Sequence, residues 1–462
     1  MSEAVIAPDT SRNADLFGHP RGLTILFGTE MWERFSYYGM RALLVLYLVK
    51  YLLLPGHVEH VLFYPQVKMF YEMLAGPLAP QPLASLIYGT YTGLVYATPL
   101  LGGWLADNYI GQRYTAVIGI VMMAFGHFMM ASEALLFPAL TLLIFGGGLF
   151  KTNTTAQVGM LYPHGDERID RAYSIYYVGT NLGAFIAPLV AGTLGELVGW
   201  DYGFGAAGVG MIIALAVYFW GWRYLPAEGV RERKLAEKKQ PLNRAEWMSV
   251  GALILLVIPL TLWWACYEQQ GNIIALFADA ATDRRLIPGI IDWEIPVTWF
   301  QAFNPFIIFA FTPVVLALWT HQAKGLKEPN SMYKIVFGCV LLALSFALMA
   351  AVVWQANGAK VSWLWLLAYF LVITIGEIYS SPISQSLYSK VAPLRIASIM
   401  MAVNFLPNFL GGGFLQGWLG TFWESMSHAA FFLMIAAIGL ASAIIVWAME
   451  KPLRPYLEIS HD

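Results

Sequence analysis

Long apolar stretches recur along the whole chain, and each is bounded by glycine, proline or charged residues. Most of them contain about 20 residues or more, which is the length that an α-helix needs to cross a lipid bilayer. The pattern therefore predicts an all-α membrane protein with twelve transmembrane helices. The predicted spans are residues 22–54, 83–105, 113–132, 135–160, 172–196, 203–224, 246–278, 298–321, 331–354, 361–388, 395–420 and 428–450.

A charged segment near mid-chain, "PAEGVRERKLAEKKQPLNRAE", separates six predicted helices from the other six. We predict an N-terminal six-helix bundle over residues 1–225, a cytoplasmic linker over 226–245 and a C-terminal six-helix bundle over 246–462. Two such sets of helices are typical of transporters that bind their substrate near the middle of the bilayer. Most of the 27 Lys and Arg residues lie in segments on the same side of the membrane as the linker and the termini. The positive-inside rule therefore predicts that both termini are cytoplasmic.

The composition agrees with a multi-pass membrane protein, because 58% of the residues are hydrophobic and only 12% are charged. Soluble domains contain about 25% charged residues. The net charge of −2 gives no reason to expect a nucleic acid, and the expected surroundings are a lipid bilayer. Cys266 and Cys339 both lie in apolar stretches, where a thiol usually packs as a small hydrophobe. We therefore expect neither a disulfide nor a metal site.

The first predicted helix carries charged and aromatic residues at spacings that align them along one helical face. These residues are Glu30, Glu33, Arg34, Tyr37, Tyr38 and Arg41. One ionised group at mid-membrane opposes insertion by about 2.5–3.5 kcal/mol, so four of them oppose it by about 10 kcal/mol unless they are paired or hydrated. The stripe is therefore either a buried structural ion network or the wall of an aqueous cavity that handles ions or a charged solute.

Other polar residues interrupt later apolar spans, namely Lys151, Asn181, Glu268, Asn304 and Glu377. Taken alone, an asparagine in a membrane helix more often bonds a neighbouring helix than a ligand. Lysine and glutamate are harder to explain in that way. A cavity lined by cations, anions, tyrosines and amides suits a solute with a positive and a negative end, such as a zwitterionic peptide.

The stretch "EMWERFSYYG" over residues 30–39 resembles the ExxERFxYYG signature of the proton-dependent oligopeptide transporter (POT/PTR) family, within the major facilitator superfamily. The resemblance covers nearly the whole chain, because later motifs also match. They are "GGWLADNYIGQR", "LFKTNTT", "VGTNLGAFIAP", "FNP" and "GEIYSSPISQSLYSKVAP". It implies a proton-coupled importer of di- and tripeptides in the bacterial inner (plasma) membrane. Such a protein works by alternating access, functions as a monomer and uses no cofactor, with protons as the coupling ion.

The resemblance also implies roles for single residues. The substrate-binding residues would be Arg41, Tyr37, Tyr38, Tyr96, Lys151, Asn181, Asn304, Glu377 and Ser381. The proton-coupling residues would be Glu30, Glu33, Arg34, Lys151 and Glu268. The gating salt bridges would be Arg41 with Glu268 and Lys151 with Glu377. Within the first set, Arg41 and Lys151 would meet the peptide carboxylate, and Asn181, Asn304 and Glu377 its amino terminus and first amide. Tyr96 can equally be explained by ordinary helix packing.

Several alternatives remain at this level. Asn404 stands where the family usually has tryptophan, so a side-chain preference cannot be carried over. The same fold could carry nitrate, a drug or an amino acid derivative, and composition alone also allows a channel. An enzyme has little support, because His127 is alone in its predicted span, the other histidines lie in loops or at ends, and no HExxH or GxSxG pattern occurs.

Overall fold

The computed structural model describes residues 18–163, 166, 168–226, 242–325, 328–393 and 396–457, and most of them are helical. The helices of the first half are α1 Arg21–Tyr47, α2 Tyr64–Ala75, α3 Pro80–Ala97, α4 Pro99–Leu105, α5 Gln112–Met129, α6 Leu136–Met160, α7 Ile169–Ala187, α8 Thr193–Leu197 and α9 Trp200–Trp220. Those of the second half are α10 Arg244–Tyr267, α11 Ile273–Ala280, α12 Phe303–Lys324, α13 Ser331–Ala356, α14 Leu364–Val391, α15 Ala397–Phe409, α16 Gln416–Gly420 and α17 His428–Leu457.

Eight helical segments within the described ranges are long and apolar enough to cross a membrane. They are Glu133–Met160, Arg171–Leu197, Trp200–Trp220, Arg244–Ala280, Val297–Lys324, Ser331–Ala356, Leu364–Val391 and His428–Leu457. They coincide with the fourth to tenth and the twelfth predicted spans, so the chain is an all-α, multi-pass membrane protein. The other four predicted spans are also largely helical, but their helices are interrupted, shorter or more charged. The total of twelve therefore stays a prediction.

Several helices continue through π-helical turns, which the sequence pattern did not predict. These turns are Leu48–Leu52, Ala106–Ile110, Pro188–Gly192 and Leu410–Leu415. The third begins at Pro188, which has no N–H group for the regular α-helical hydrogen bond. Such one-turn π-bulges continue a helix where its regular α-helical hydrogen-bond pattern is interrupted. The predicted fifth and eleventh spans are therefore α–π–α segments rather than uniform helices.

The structure also contains four short strands, three of them outside the predicted spans and the fourth at the first two residues of the predicted tenth span. They are β1 Thr282–Asp283, β2 Arg285–Ile287, β3 Ile291–Glu294 and β4 Val361–Ser362. β1 pairs in parallel with β4, and β2 and β3 form an antiparallel hairpin. The Arg285 guanidinium hydrogen-bonds the Asp283 carboxylate and lowers the pKa of that carboxyl to about 2. The second half itself starts at a capping box, in which Asn243 and Glu246 each accept a hydrogen bond from the other's backbone N–H.

The chain divides into two compact units. The first takes its described residues from Met1–Met40 and Thr98–Arg233, and the second from Arg41–Ala97 and Lys234–Asp462. The division falls within α1, so the second unit includes α2 and α3. It does not test the predicted bundle borders at residues 225 and 246, which stay a prediction.

In the first unit, glycines let helices touch backbone to backbone. A Cβ atom on Gly183 of α7 would lie 2.2 Å from the Met31 carbonyl oxygen of α1. A Cβ atom on Gly102 of α4 would lie 2.2 Å from the Gly148 carbonyl oxygen of α6. Because real Cβ atoms do not approach so closely, these positions require glycine. Gly183 brings α7 against α1 at the level of the charged stripe, and Gly102 brings α4 against α6.

In the second unit, α3 packs against the turn Leu410–Leu415 and α16 through four glycines. We call Gly89, Gly93, Gly413 and Gly417 the glycine seam. A Cβ atom on Gly89 would lie 2.6 Å from the Gly413 carbonyl oxygen, and one on Gly413 would lie 2.4 Å from Cα of Gly93. Gly89 and Gly93 are four residues apart in the sequence, as are Gly413 and Gly417. This is the small-xxx-small spacing that lets membrane helices pack closely.

Candidate functional site

The charges in the middle of α1 are paired with one another. Arg34 binds the Glu33 carboxylate through two parallel hydrogen bonds, 2.5 Å from Nε and 2.8 Å from Nη2. Its Nε also lies 3.4 Å from a Glu30 oxygen, one turn earlier. All three side chains are buried. Pairing offsets the cost of placing ions in a membrane helix, so the stripe can be inserted.

Two further helices complete this cluster in the first unit. The Tyr176 hydroxyl of α7 donates to Glu30 at 2.5 Å, and Thr180 lies 3.5 Å from the other Glu30 oxygen. Tyr176 also lies 3.0 Å from the Thr154 hydroxyl of α6. Lys151, one turn before Thr154, interacts electrostatically with both carboxylates. We call Glu30, Glu33, Arg34, Lys151 and Tyr176 the first-unit ion cluster. Two carboxylates and two cations make it electrically balanced, so protonation of one carboxylate would leave an excess positive charge.

Tyr37 and Tyr38 lie beside this cluster, and Asn181 directly follows Thr180 on α7. The Arg34 guanidinium is 5.0 Å from the Tyr37 ring centroid, and the Tyr37 and Tyr38 rings meet edge to face at 5.1 Å. Asn181 is buried, and its amide nitrogen donates to the Tyr177 carbonyl oxygen at 2.9 Å. That bond is one a helical asparagine makes to its own preceding turn, so it neither supports nor opposes a ligand role.

In the second unit, Arg41 bonds two residues at once. Its Nη2 donates to Glu268, which follows directly after α10, and its Nε donates to the Tyr88 hydroxyl of α3 at 2.7 Å. Gly271 makes room for this hydroxyl, because a Cβ atom there would lie 1.9 Å from it. The predicted contact between Arg41 and Glu268 is therefore present. Its gating role stays a prediction.

A second carboxylate in this unit is held by neutral donors. The Asn304 amide nitrogen lies 2.8 Å from Glu377, 3.1 Å from the Tyr267 hydroxyl and 3.0 Å from the Thr374 hydroxyl. Tyr267 also hydrogen-bonds Glu377, and the Glu268 carboxylate repels it. Within the described part of the second unit, Glu377 has no Lys or Arg partner. Such a carboxylate suits a positively charged ligand group or a proton.

Four predictions remain to be located. Ser381 is half-buried one turn after Glu377 on α14, and Tyr96 is half-buried near the end of α3. Lys151 and Glu377 belong to different units, so their salt bridge stays a prediction. Asn404 is buried, and its carbonyl oxygen has no hydrogen-bond partner among the described residues.

The sequence interpretation missed the neutral hydrogen-bond partners of both sites. Tyr176 donates to Glu30 and contacts Thr154, whereas Tyr88 accepts from Arg41. Tyr267 hydrogen-bonds Glu377, and Thr374 accepts from the Asn304 amide nitrogen. Helical spacing offered a signal, because Thr154 follows Lys151 by three residues and Tyr267 directly precedes Glu268. Tyrosine and threonine are nevertheless common in ordinary membrane-helix packing, so their type alone did not mark them.

The chain is similar to known transporters in sequence and in fold. The sequence profile of the POT family matches residues 113–250 and 238–438. The chain is 32% identical over 449 residues to the Uncharacterized transporter YclF of Bacillus subtilis (strain 168), covering 85% of this chain and 86% of that protein. It is 30% identical over 499 residues to a Di-/tripeptide transporter of Lactococcus lactis subsp. cremoris, covering 95% and 96%. A crystal structure of a peptide transporter POT in complex with sulfate superposes with a TM-score of 0.82 at 28% identity, covering 98% of this chain and 100% of that one. All three are transporters rather than enzymes.

Proposed function

The chain belongs to the POT family, and from this premise we propose that it imports di- and tripeptides together with protons. The names of two similar proteins support the substrate class, since one is a Di-/tripeptide transporter and the other a peptide transporter. The proposal includes the bacterial inner membrane, cytoplasmic termini and a functional monomer. Protons are the only coupling ion, and no cofactor takes part.

The observation that carries the proposal is the pair of differently held carboxylates in the second unit. Glu377 is bonded by neutral groups in the described part of that unit, whereas Glu268 is neutralised by Arg41. A peptide ammonium would give Glu377 a positive partner. A peptide carboxylate would take the place of the Glu268 carboxylate and form the same kind of charge-assisted hydrogen bond with Arg41. A zwitterionic dipeptide supplies both groups, whereas nitrate supplies only one.

The family resemblance assigns further contacts, which we keep as part of the proposal. Lys151 would share the peptide carboxylate with Arg41, and Asn181 and Asn304 would bind the amino-terminal end. The residues assigned to the side chains of the peptide are Tyr37, Tyr38, Tyr96 and Ser381. Proton coupling is assigned to the first-unit ion cluster with Glu268. A proton that neutralises one of these carboxylates weakens its salt bridges and shifts the equilibrium between alternating-access states.

The test is uptake of radiolabelled dialanine into proteoliposomes. We expect accumulation above the external concentration when the outside is made more acidic, and none when neither a pH gradient nor a membrane potential is imposed. Lys151→Ala should abolish this accumulation, because the cluster loses one of its two cations. The matched control is Lys360→Ala, which removes an exposed lysine from a loop. If Lys151→Ala concentrated dialanine as well as the parent does, its coupling role would be wrong. Inhibition by nitrate or free amino acids but not by unlabelled dipeptide would show that the solute is not a peptide.

A further inference from the structure

Helix α2 and the turn before it present large apolar side chains to the outside. We call Leu62, Phe63, Met69, Phe70, Met73 and Leu74 the outward apolar face. These side chains are between 49% and 77% exposed. The four within α2 occupy positions i, i+1, i+4 and i+5, so they form one continuous side of the helix. An exposed apolar patch of this kind marks a surface that binds another protein or a membrane.

In α2 the apolar side is exposed and the charged side is partly buried, the reverse of a helix on the surface of a water-soluble protein. Its charged residues, Lys68 and Glu72, are half-buried on the opposite flank and lie 3.7 Å apart. Glu72 also accepts a hydrogen bond from the Leu78 backbone N–H at 3.1 Å. In water the charged side would be exposed and the apolar side covered. The reverse arrangement is stable where the surroundings are themselves apolar.

The attachment of α2 places it on the perimeter of a membrane helix. Buried Tyr71 donates a hydrogen bond to the Thr90 hydroxyl of α3 at 2.7 Å. Thr90 lies with Leu86 and Leu94 on the partly exposed side of α3, at four-residue spacing. The glycine seam occupies another, buried side of that helix. α2 therefore leans against the side of α3 that faces the surroundings of the protein.

The length and charge of α2 identify the kind of contact. Its 12 residues extend about 18 Å, which is too short to cross a hydrocarbon core of about 30 Å. Lys68 and Glu72 neutralise each other, so the helix offers no net charge to lipid headgroups. We propose that α2 is an interfacial membrane anchor whose outward apolar face docks into the acyl-chain boundary of one leaflet. That leaflet is on the side where α1 ends, the outer side in the proposed orientation.

The test uses the full chain, reconstituted at one copy per nanodisc in neutral phosphatidylcholine. Met73→Cys carries a nitroxide label, and its collisions with oxygen and with a water-soluble nickel chelate are compared by electron paramagnetic resonance. Cys266 and Cys339 are buried, and the labelled parent gives any background from them. We expect oxygen collisions to dominate at position 73. The matched control is Asp292→Cys, at an exposed position of the β2–β3 hairpin, where nickel collisions should dominate.

Two further variants separate an apolar anchor from other contacts. Phe70→Glu in the labelled chain should raise nickel collisions at position 73 several-fold, whereas Lys68→Gln should leave them unchanged. Adding anionic phosphatidylglycerol should also have no effect. Dominant nickel collisions at position 73 in the otherwise unchanged chain would overturn the proposal. So would oxygen contact that appears only with anionic lipid. A third contrary outcome is protection of the label from both oxygen and the nickel chelate, but only with two copies per nanodisc. That result would mean that a second copy of this chain covers the outward apolar face, and it would also overturn the proposal.

Discussion

At the scale of single residues, the charges of α1 are held in two separate ways. Arg34 is paired with Glu30 and Glu33 within the same helix, and Lys151 of α6 supplies the second cation. Arg41 lies two turns further on and depends on partners from other segments, Glu268 and Tyr88. The bonds between Arg34 and Glu33 lie within one helix, so they need not break when another helix moves. Arg41 must respond, because its bonds are broken if either partner moves away.

Tyr88 therefore positions Arg41, and its hydroxyl can be tested alone. A hydrogen bond to a charged group contributes about 1.5–3 kcal/mol, so its loss corresponds to about tenfold or more in an equilibrium constant. We expect Tyr88→Phe to raise the KM for dialanine by about that factor, with little change in the maximal rate. Arg41→Lys should also raise KM, because an ammonium cannot reproduce the planar, forked geometry of guanidinium.

The double variant distinguishes positioning from a general loss of stability. If the hydroxyl acts only through Arg41, then Arg41→Lys combined with Tyr88→Phe should raise KM by less than the product of the two single effects. Tyr109→Phe removes the hydroxyl of an exposed tyrosine and should leave KM unchanged. Fully multiplicative effects in the double variant would mean that Tyr88 acts independently of Arg41.

At the scale of helices, the glycine seam predicts that one added methyl group will destabilise the packing of α3. Gly89→Ala would place a Cβ atom 2.6 Å from a backbone oxygen of Gly413 and 2.8 Å from Cα of Gly417. Backbone atoms cannot rotate away as a flexible side chain can, so α3 and α16 must separate. Overpacking of this kind typically costs about 1–3 kcal/mol. We expect a lower midpoint of thermal unfolding for Gly89→Ala in detergent.

Gly251→Ala is the matched control for this substitution, since Gly251 is also inside a helix of the second unit but has nothing within 4 Å of its Cβ position. Alanine is a better helix former than glycine by about 1 kcal/mol, so this variant should unfold at the same or a higher temperature. Equal midpoints for Gly89→Ala and the parent would show that the seam is not closed in the purified protein.

Most of the helices could be predicted from the sequence, because a membrane span must satisfy all its backbone hydrogen bonds internally and therefore appears as a long apolar run. The same rule did not predict α2, since 12 residues are too few to span and the apolar face is exposed rather than buried. Nor did it predict the π-helical turn at Pro188–Gly192, which depends on local loss of a hydrogen bond. Charge likewise revealed Arg41 and Glu268, whereas Tyr88 was missed because a neutral hydroxyl costs far less to insert than a charge and so does not stand out.

At the scale of the whole molecule, the proposal requires net charge to cross the membrane in each cycle. Dialanine is a zwitterion without net charge, so any charge moved inward is that of the proton. One charge falling through 100 mV releases about 2.3 kcal/mol, enough for about 50-fold accumulation at one proton per peptide. We therefore expect an inside-negative potassium diffusion potential, without a pH gradient, to concentrate dialanine in proteoliposomes.

Glu33→Gln tests whether this charge depends on the first-unit ion cluster. The substitution keeps the shape of the side chain but removes its ability to take up and release a proton, and it leaves Arg34 facing a neutral amide in place of a bidentate carboxylate. We expect this variant to exchange labelled for unlabelled dialanine yet not to accumulate it, whereas Glu424→Gln, at an exposed position, should behave as the parent does. Accumulation that needs a pH gradient but ignores the potential would mean that another charge compensates the proton. Accumulation that survives Glu33→Gln would place the coupling carboxylate elsewhere, with Glu30 as the next to be changed because Tyr176 and Thr180 hold it from α7.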